Sequence, residues 1–300
     1  MTRTRRLALA LGLNAALVVA LTIAGVVAGS LGLLADAGHD LADVGALTLT
    51  IIAIRLARRP ATRRRSFGWH RATVLAAQAN AAVLLVVSAL IAVEAIRRLV
   101  HPVAVDGSVV VAMASAALVV NALASRAVRT PEPDLAMRSA MLHLIADAAA
   151  SGAVLLAGIV ITISPGARWF DPLASLLVAV TVAYHAVVLL REAVDVLLEA
   201  TPLGLDEDVL VEALRSVEGV ENVHDVHVWS LSSDVRALAA HVVMAGHPSL
   251  EEAQVVVNRM HLLLSDRFAI AHATIEQECE PCETAAVDSC SISDSPVRSL

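Results

Sequence analysis

Residues Ala35–Leu47 read ADAGHDLADVGAL. Asp36, His39, Asp40 and Asp43 fall within eight residues, inside an otherwise apolar run. The surrounding chain is 57% hydrophobic with a mean hydropathy of +0.72, and only 2% of it is aromatic. An apolar mass of Ala, Val, Leu and Ile belongs to membrane helices, not to a soluble core. Ionisable groups at bilayer depth cost about 2–3 kcal/mol each on the insertion scale. A membrane helix keeps several of them only where they face protein or water and have a task.

Working outward from this stretch, six long apolar segments appear at about 8–30, 34–56, 73–96, 109–127, 136–163 and 172–190. Each approaches the ~20 residues a bilayer-spanning helix needs. The first is too long for a signal peptide and no small-residue cleavage site follows it, so it is expected to be retained. Arg residues flank alternate connections. Arg3, Arg5 and Arg6 precede the first span, seven Arg from Arg55 to Arg71 surround the loop after the second, and Arg126, Arg129 and Arg138 flank the loop after the fourth. The other side has only Arg97, Arg98 and Arg168. The positive-inside rule then places both termini in the cytoplasm of a multi-pass protein of the cell (inner) membrane.

Near Glu199 the texture changes. Residues 1–199 hold 17 Arg against 12 acids, and residues 200–300 hold 5 Arg against 17 acids, with no Lys anywhere. An acidic half argues against nucleic acid as a partner and suits cations. A helix is expected to start at Asp206. VENVHDVHVWSL and VRALAAHVVM read as a hairpin joined by SSD, Ser249 and Glu252 form a capping box ahead of a second helix, and AHATIEQE closes as a strand. The expected fold is an all-α six-helix transmembrane bundle over 1–199, then a small cytoplasmic α+β domain (α-β-β-α-β) over 200–280. Residues 281–300 are expected to form a disordered tail. The three Cys (Cys279, Cys282, Cys290) crowd the C-terminus and cannot staple a fold.

Asp36, His39, Asp40 and Asp43 are spaced 0, +3, +4, +7, which places them along one side of a helix. In the fifth span, MLHLIADAAASG supplies His143 and Asp147, again four apart. Two His-x-x-x-Asp helices facing each other offer two nitrogens and two oxygens. That is a tetrahedral ligand set suited to zinc, with two carboxylates to neutralise the dication. His39 and Asp43 are better placed than their neighbours: Asp40 points about 100° from His39, and Asp36 is read as a helix-start cap or a pathway residue. Asn80 and Glu94 in the third span either line a pathway or tie helices together. His70 is expected to make interfacial hydrogen bonds, His101 and His185 to be structural, and His247 and His261 to be solvated. His224 and His227, three apart in a strand, are expected to point to opposite faces.

At these residues the chain resembles the cation diffusion facilitators, zinc-type branch. The resemblance runs through SLGLLADAGHDLADVGAL, FGWHRATVLAAQAN, HLIADAAAS, DPLASLLVA and VHDVHVWSL…AAHVV…AHATIEQE. It implies a metallochaperone-like cytoplasmic domain, a homodimer embedded in membrane lipid, and export of divalent metal cations, Zn(2+) foremost, in exchange for protons. His39, Asp43, His143 and Asp147 match the transport site of that family. The resemblance further implies that His224, His241, His272 and Glu278 approach one another and bind regulatory zinc, with Cys279 and Cys282 of CEPC as added ligands. The His-rich loop many relatives carry is absent from RAVRTPEPDLAMR, and the Arg-rich second loop holds only His70, so no further metal site is expected there.

Neither a Walker sequence nor His-Glu-x-x-His is present, so neither ATP-driven transport nor metalloprotease chemistry is expected, and no organic cofactor is needed. Two other readings remain open: a membrane metal sensor or scaffold that does not transport, and an uncoupled cation channel.

Overall fold

The computed structural model describes residues 3–128, 135–164, 166–232 and 235–280. Within its helices the side chains of residues 3–11, 13, 14, 47, 124–128 and 135–146 lie outside the described set. Six long helices come first: α1 (Arg3–Ala28), α2 (Leu31–Ala57), α3 (Ala72–Val100), α4 (Gly107–Val128), α5 (Leu135–Ile163) and α6 (Phe170–Leu197). They are followed by α7 (Glu207–Arg215), β1 (Val220–Ser232), β2 (Val235–Met244), α8 (Leu250–Phe268) and β3 (Ile270–Glu278). Two compact units result, Met1–Ala53 with Ala76–Arg191, and Ile54–Leu75 with Glu192–Leu300.

In the first unit many polar side chains are buried and many large aliphatic ones are exposed. Ser30, Asp36, Asp40, Ser88, Asn121, Asp147, Ser151, Asp171 and Ser175 are buried, while Val19, Ile23, Val26, Val27, Val83, Val86, Leu90 and Val93 are exposed. Large aliphatics outside and small or polar residues inside is how helices pack when lipid is the solvent. By length and composition α3 and α6 can each cross a bilayer, with mean hydropathies of 2.2 and 2.3. Small residues let helices approach closely: a Cβ on Gly158 of α5 would come 2.8 Å from Val110 Cγ1 of α4.

The turn between α1 and α2 is clasped from two directions. Gly29 takes φ +66° there, where a Cβ would also strike the Ala104 carbonyl. Arg98 of α3 donates to the Gly29 carbonyl (2.6 Å) and to Glu94 (2.9 Å). Asp171 of α6 accepts from Ser30 Oγ (2.5 Å), Leu31 N (2.8 Å) and Gly32 N (3.2 Å), and Ser30 Oγ in turn accepts from Leu33 N (3.2 Å). The first three orphan amides of α2 are therefore all satisfied, and a carboxylate sits at the positive end of the helix. Asp36 does not serve as that cap. It lies in the second turn of α2, is only 2% exposed, and accepts from Ser151 Oγ at 3.1 Å. The capping role belongs to Ser30 and Asp171, which sequence spacing could not connect across 141 positions.

At the other end of the loop after α3, Asp106 caps α4. It accepts from Ser108 Oγ and the amides of Ser108 and Val109, which hold its carboxyl below the usual range.

In the C-terminal unit β1 pairs antiparallel with β2, and β3 pairs parallel with β2 on its other edge. The crossover from β2 to β3 runs through α8. Leu210, Leu214, Leu238, Val242, Met260 and Leu264, none measurably exposed, form the core between the sheet and both helices. Asp206 N-caps α7, and Ser249 with Glu252 makes a reciprocal capping box on α8. Gly219 sits at φ +98° with Val256 Cγ2 only 2.7 Å from where a Cβ would be, so the approach to β1 requires glycine.

Candidate metal centre

α2 and α5 face each other through their polar stripes. His39 Nε2 lies 3.1 Å from Asp147 Oδ1 and 3.8 Å from Asp43 Oδ2, and one ligand atom from each of the three residues falls within 4.8 Å of the others. The i, i+4 step puts His39 and Asp43 on successive turns. Asp147 and Ser151 do the same on α5, so Ser151 takes Asp36 while Asp147 takes His39. The group is largely shielded: the side chains of His39, Asp43 and Asp147 are 14%, 24% and 10% exposed. His143 lies one turn from Asp147 on α5, and its side chain is outside the described residues.

A cavity of about 700 Å³ opens onto this group between α2, α3, α5 and α6. Asn80 and His185 line it. Toward the α1–α2 turn the packing is closed by Leu21, Leu33, Ala35, Val110 and Val154, at most 1% exposed. Glu94 does not join the cavity. It pairs along its own helix with Arg98 (2.9 Å) and Arg97 (3.8 Å), and only through Arg98, which donates to the Gly29 carbonyl, is it linked to the α1–α2 turn. Asp40 is 5% exposed, and its Oδ2 is buried without a hydrogen-bond partner.

A second group lies on the C-terminal sheet. His224 and His241 are direct antiparallel partners with ring centroids 5.4 Å apart. Glu278 reaches both, at 2.8 Å from His241 Nδ1 and 3.3 Å from His224 Nε2. These three residues share a space narrower than 4.8 Å. The His224–Glu278 approach lacks hydrogen-bond geometry, and both shielded ring nitrogens of the half-buried His224 go without such a bond. Two imidazoles and a carboxylate this close together are a donor set that fits a dication.

Other expectations for this sheet need correction. His227 does not point away from His224. An extra residue on β1 between them, with Asp225 at φ +47°, makes His224 oppose His241 and His227 oppose Ala239. Positions 239 and 241 share a face, so the bulge returns His227 to the same side. Asp225 then bridges His227 (3.2 Å) and His241 (3.7 Å), and Glu276 stands 3.5 Å from His241. Spacing alone had singled out neither acid. His272 is not brought into the group within one chain. It pairs with Ala237, four rungs from the His241–Glu276 rung, or about 13 Å along the strands. There its ring meets Phe67 edge-on at 5.5 Å. Cys279 is free and exposed, and Cys282 lies outside the described residues.

Comparison with known proteins agrees with this two-part layout. Residues 7–198 match the cation efflux transmembrane domain, and residues 202–280 match the cation efflux protein cytoplasmic domain. The chain is 38% identical to the zinc transporter ZitB of Escherichia coli over 93% of its own length and 88% of the relative's. It is 34% identical to a cadmium, cobalt and zinc/H(+)-K(+) antiporter of Bacillus subtilis, over 86% of this chain and 83% of that one. It is 33% identical to the metal cation efflux system protein CzcD of Cupriavidus metallidurans, over 94% and 88%. With a lipid-adapted helical domain, a buried His/Asp centre and both domain matches in place, this membrane protein belongs to the cation efflux family, whose members are transporters and not enzymes.

Proposed function

We propose that the chain is a secondary transporter that exports divalent cations, Zn(2+) foremost, from the cytoplasm in exchange for protons. The observation that carries this reading is the His39–Asp43–Asp147 group in the wall of a cavity between α2, α3, α5 and α6. An imidazole nitrogen and two carboxylates suit zinc and its soft neighbours better than magnesium or calcium. His143, one turn away on α5, is the proposed fourth ligand. The cadmium, cobalt and zinc in the name of the Bacillus subtilis relative fit the same donors.

Helices α1–α6 are read as six spans, with both termini in the cytoplasm and the cavity facing it. A cation entering there meets deprotonated ligands. When the site opens outward, protons compete for the same lone pairs, release the metal and return inward on the same residues. The C-terminal domain supports a homodimer, as the name of its family match implies. His224, His241 and Glu278, with Asp225 or Glu276 completing the shell, would hold regulatory zinc.

The deciding experiment uses purified protein in proteoliposomes, with zinc uptake driven by a pH gradient alone. Wild type should accumulate zinc against its gradient, and Asp147→Ala should abolish uptake while remaining folded. Uptake that only equilibrates zinc would identify a channel. No flux with intact zinc binding would identify a sensor or scaffold. Wild-type flux in Asp147→Ala would remove the site assignment.

A further inference from the structure

The cavity wall holds one metal-ligating side chain that the centre described above does not use. Apart from His39, Asp43 and Asp147, its described lining is aliphatic except for Asn80, Thr181 and His185. Thr181 donates its hydroxyl to the Leu177 carbonyl at 2.9 Å. A neutral amide such as that of Asn80 is a poor ligand for a borderline-soft cation. His185 makes no hydrogen bond or ion pair among the described residues, and its ring only meets that of Tyr184, with centroids 5.7 Å apart. An imidazole with both nitrogens uncommitted, on a helix whose other cavity-lining residues are Leu, Val, Ala and Thr181, calls for a function.

Its depth can be read from packing. Ala42 of α2, Leu84 of α3 and Ala186 of α6 pack together. Asp43 and His185, the sequence neighbours of Ala42 and Ala186, both line the cavity. They therefore stand at about the same level, about 6 Å farther along α2 than His39 and toward the end where that helix stops. On α6 the cavity-facing stripe is Leu177, Thr181, His185 and Leu189, each one turn from the next.

We propose that Asp43 and His185 form a loading position, one turn nearer than the His39–Asp147 pair to the end of α2 that the transport reading places at the cytoplasmic face, where an entering divalent cation first exchanges water for protein ligands. This rests on the transport reading above. Asp43 is common to both positions, so the cation moves inward by exchanging the His185 nitrogen for that of His39 without leaving the carboxylate. Dehydration is thereby divided into steps. The imidazole also filters there: zinc, cadmium and cobalt take nitrogen readily, whereas magnesium and calcium hold to oxygen and water.

The test is zinc-dependent flux of the full-length protein in proteoliposomes, with zinc supplied on the side of the C-terminal domain. His185→Ala and His185→Asn should each raise KM about fivefold or more and leave the maximal rate within about twofold, because the inner centre is intact. Tyr184→Phe should change neither. Equilibrium zinc binding to detergent-solubilised Asp147→Ala protein that also carries His241→Ala and Glu278→Ala, which remove the C-terminal group, gives a second readout, independent of flux. Weak binding should persist there and be lost when His185→Ala or His185→Gln is added. Unchanged KM in both His185 variants, or residual binding that survives both added substitutions, would overturn the loading position. If Asp147→Ala transports normally the transport site itself is misassigned, whereas a silent His185 beside an inactive Asp147→Ala removes only the loading position.

Discussion

Replacing Asp171 by alanine tests whether the buried clasp at the head of α2 holds the transport helix in place. Asp171 is not measurably exposed, and it accepts from Ser30 Oγ, Leu31 N and Gly32 N. Alanine leaves those three donors buried without partners. Each unsatisfied donor costs about 1–3 kcal/mol, and bonds to a charged acceptor lie at the upper end. The three share one carboxylate and relax together, so the sum is discounted to about 3–5 kcal/mol. Loss of a negative charge at a helix N-terminus adds up to about 1 kcal/mol. At roughly 3 °C per kcal/mol, the melting midpoint should fall by about 10 °C or more. Asparagine keeps one acceptor oxygen and should recover less than half of this. The assay is thermal unfolding of the detergent-solubilised protein followed by its Trp fluorescence, with wild type and Asn121→Ala as references. A midpoint for Asp171→Ala within about 2 °C of wild type would refute the claim that these bonds anchor α2.

His39→Asp should shift transport preference from zinc toward manganese, because an oxygen replaces the nitrogen donor; competition flux assays with unchanged zinc preference would count against His39 as a ligand. In the acidic C-terminal domain, zinc should tighten the dimer, and His241→Ala with Glu278→Ala should remove that response while transport persists; scattering with and without micromolar zinc decides it. Glu252 accepts from the backbone amide and hydroxyl of Ser249, which hold its carboxyl below the usual range. The capping box therefore contributes stability that is fully present above about pH 4.5, the unfolded range, and is lost as pH falls through the lower folded value. Urea midpoints of a 200–280 fragment should fall less steeply on acidification when Glu252 is Gln, and parallel curves would refute the linkage.

Much of this protein was readable along the chain because the signals are local. Hydropathy sets a membrane helix residue by residue, since each side chain meets lipid largely independently of its distant neighbours. The i, i+4 spacing of His39 with Asp43, and of His143 with Asp147, is a property of one helix at a time. Helix caps at Asp206 and Ser249 depend on three or four consecutive residues, and they appear where spacing placed them.

What only the tertiary structure decided are the pairings between elements. Asp36 looked like a cap by position, yet it is a buried acceptor for Ser151, and the cap is Asp171, brought in from α6. Asp225 and Glu276 reach His241 because a bulge and a parallel register put them there, and one extra residue on β1 moves His227 across the sheet. His272 has the right chemistry but stands four rungs away. His185 was expected to be structural, and it lines the cavity beside Ala186, which clusters with Ala42 and Leu84. Sequence period determines which residues share a face of one element. Which faces meet, and at what height, follows from packing summed over the whole unit, where a single small side chain or an inserted residue shifts the register of everything beyond it.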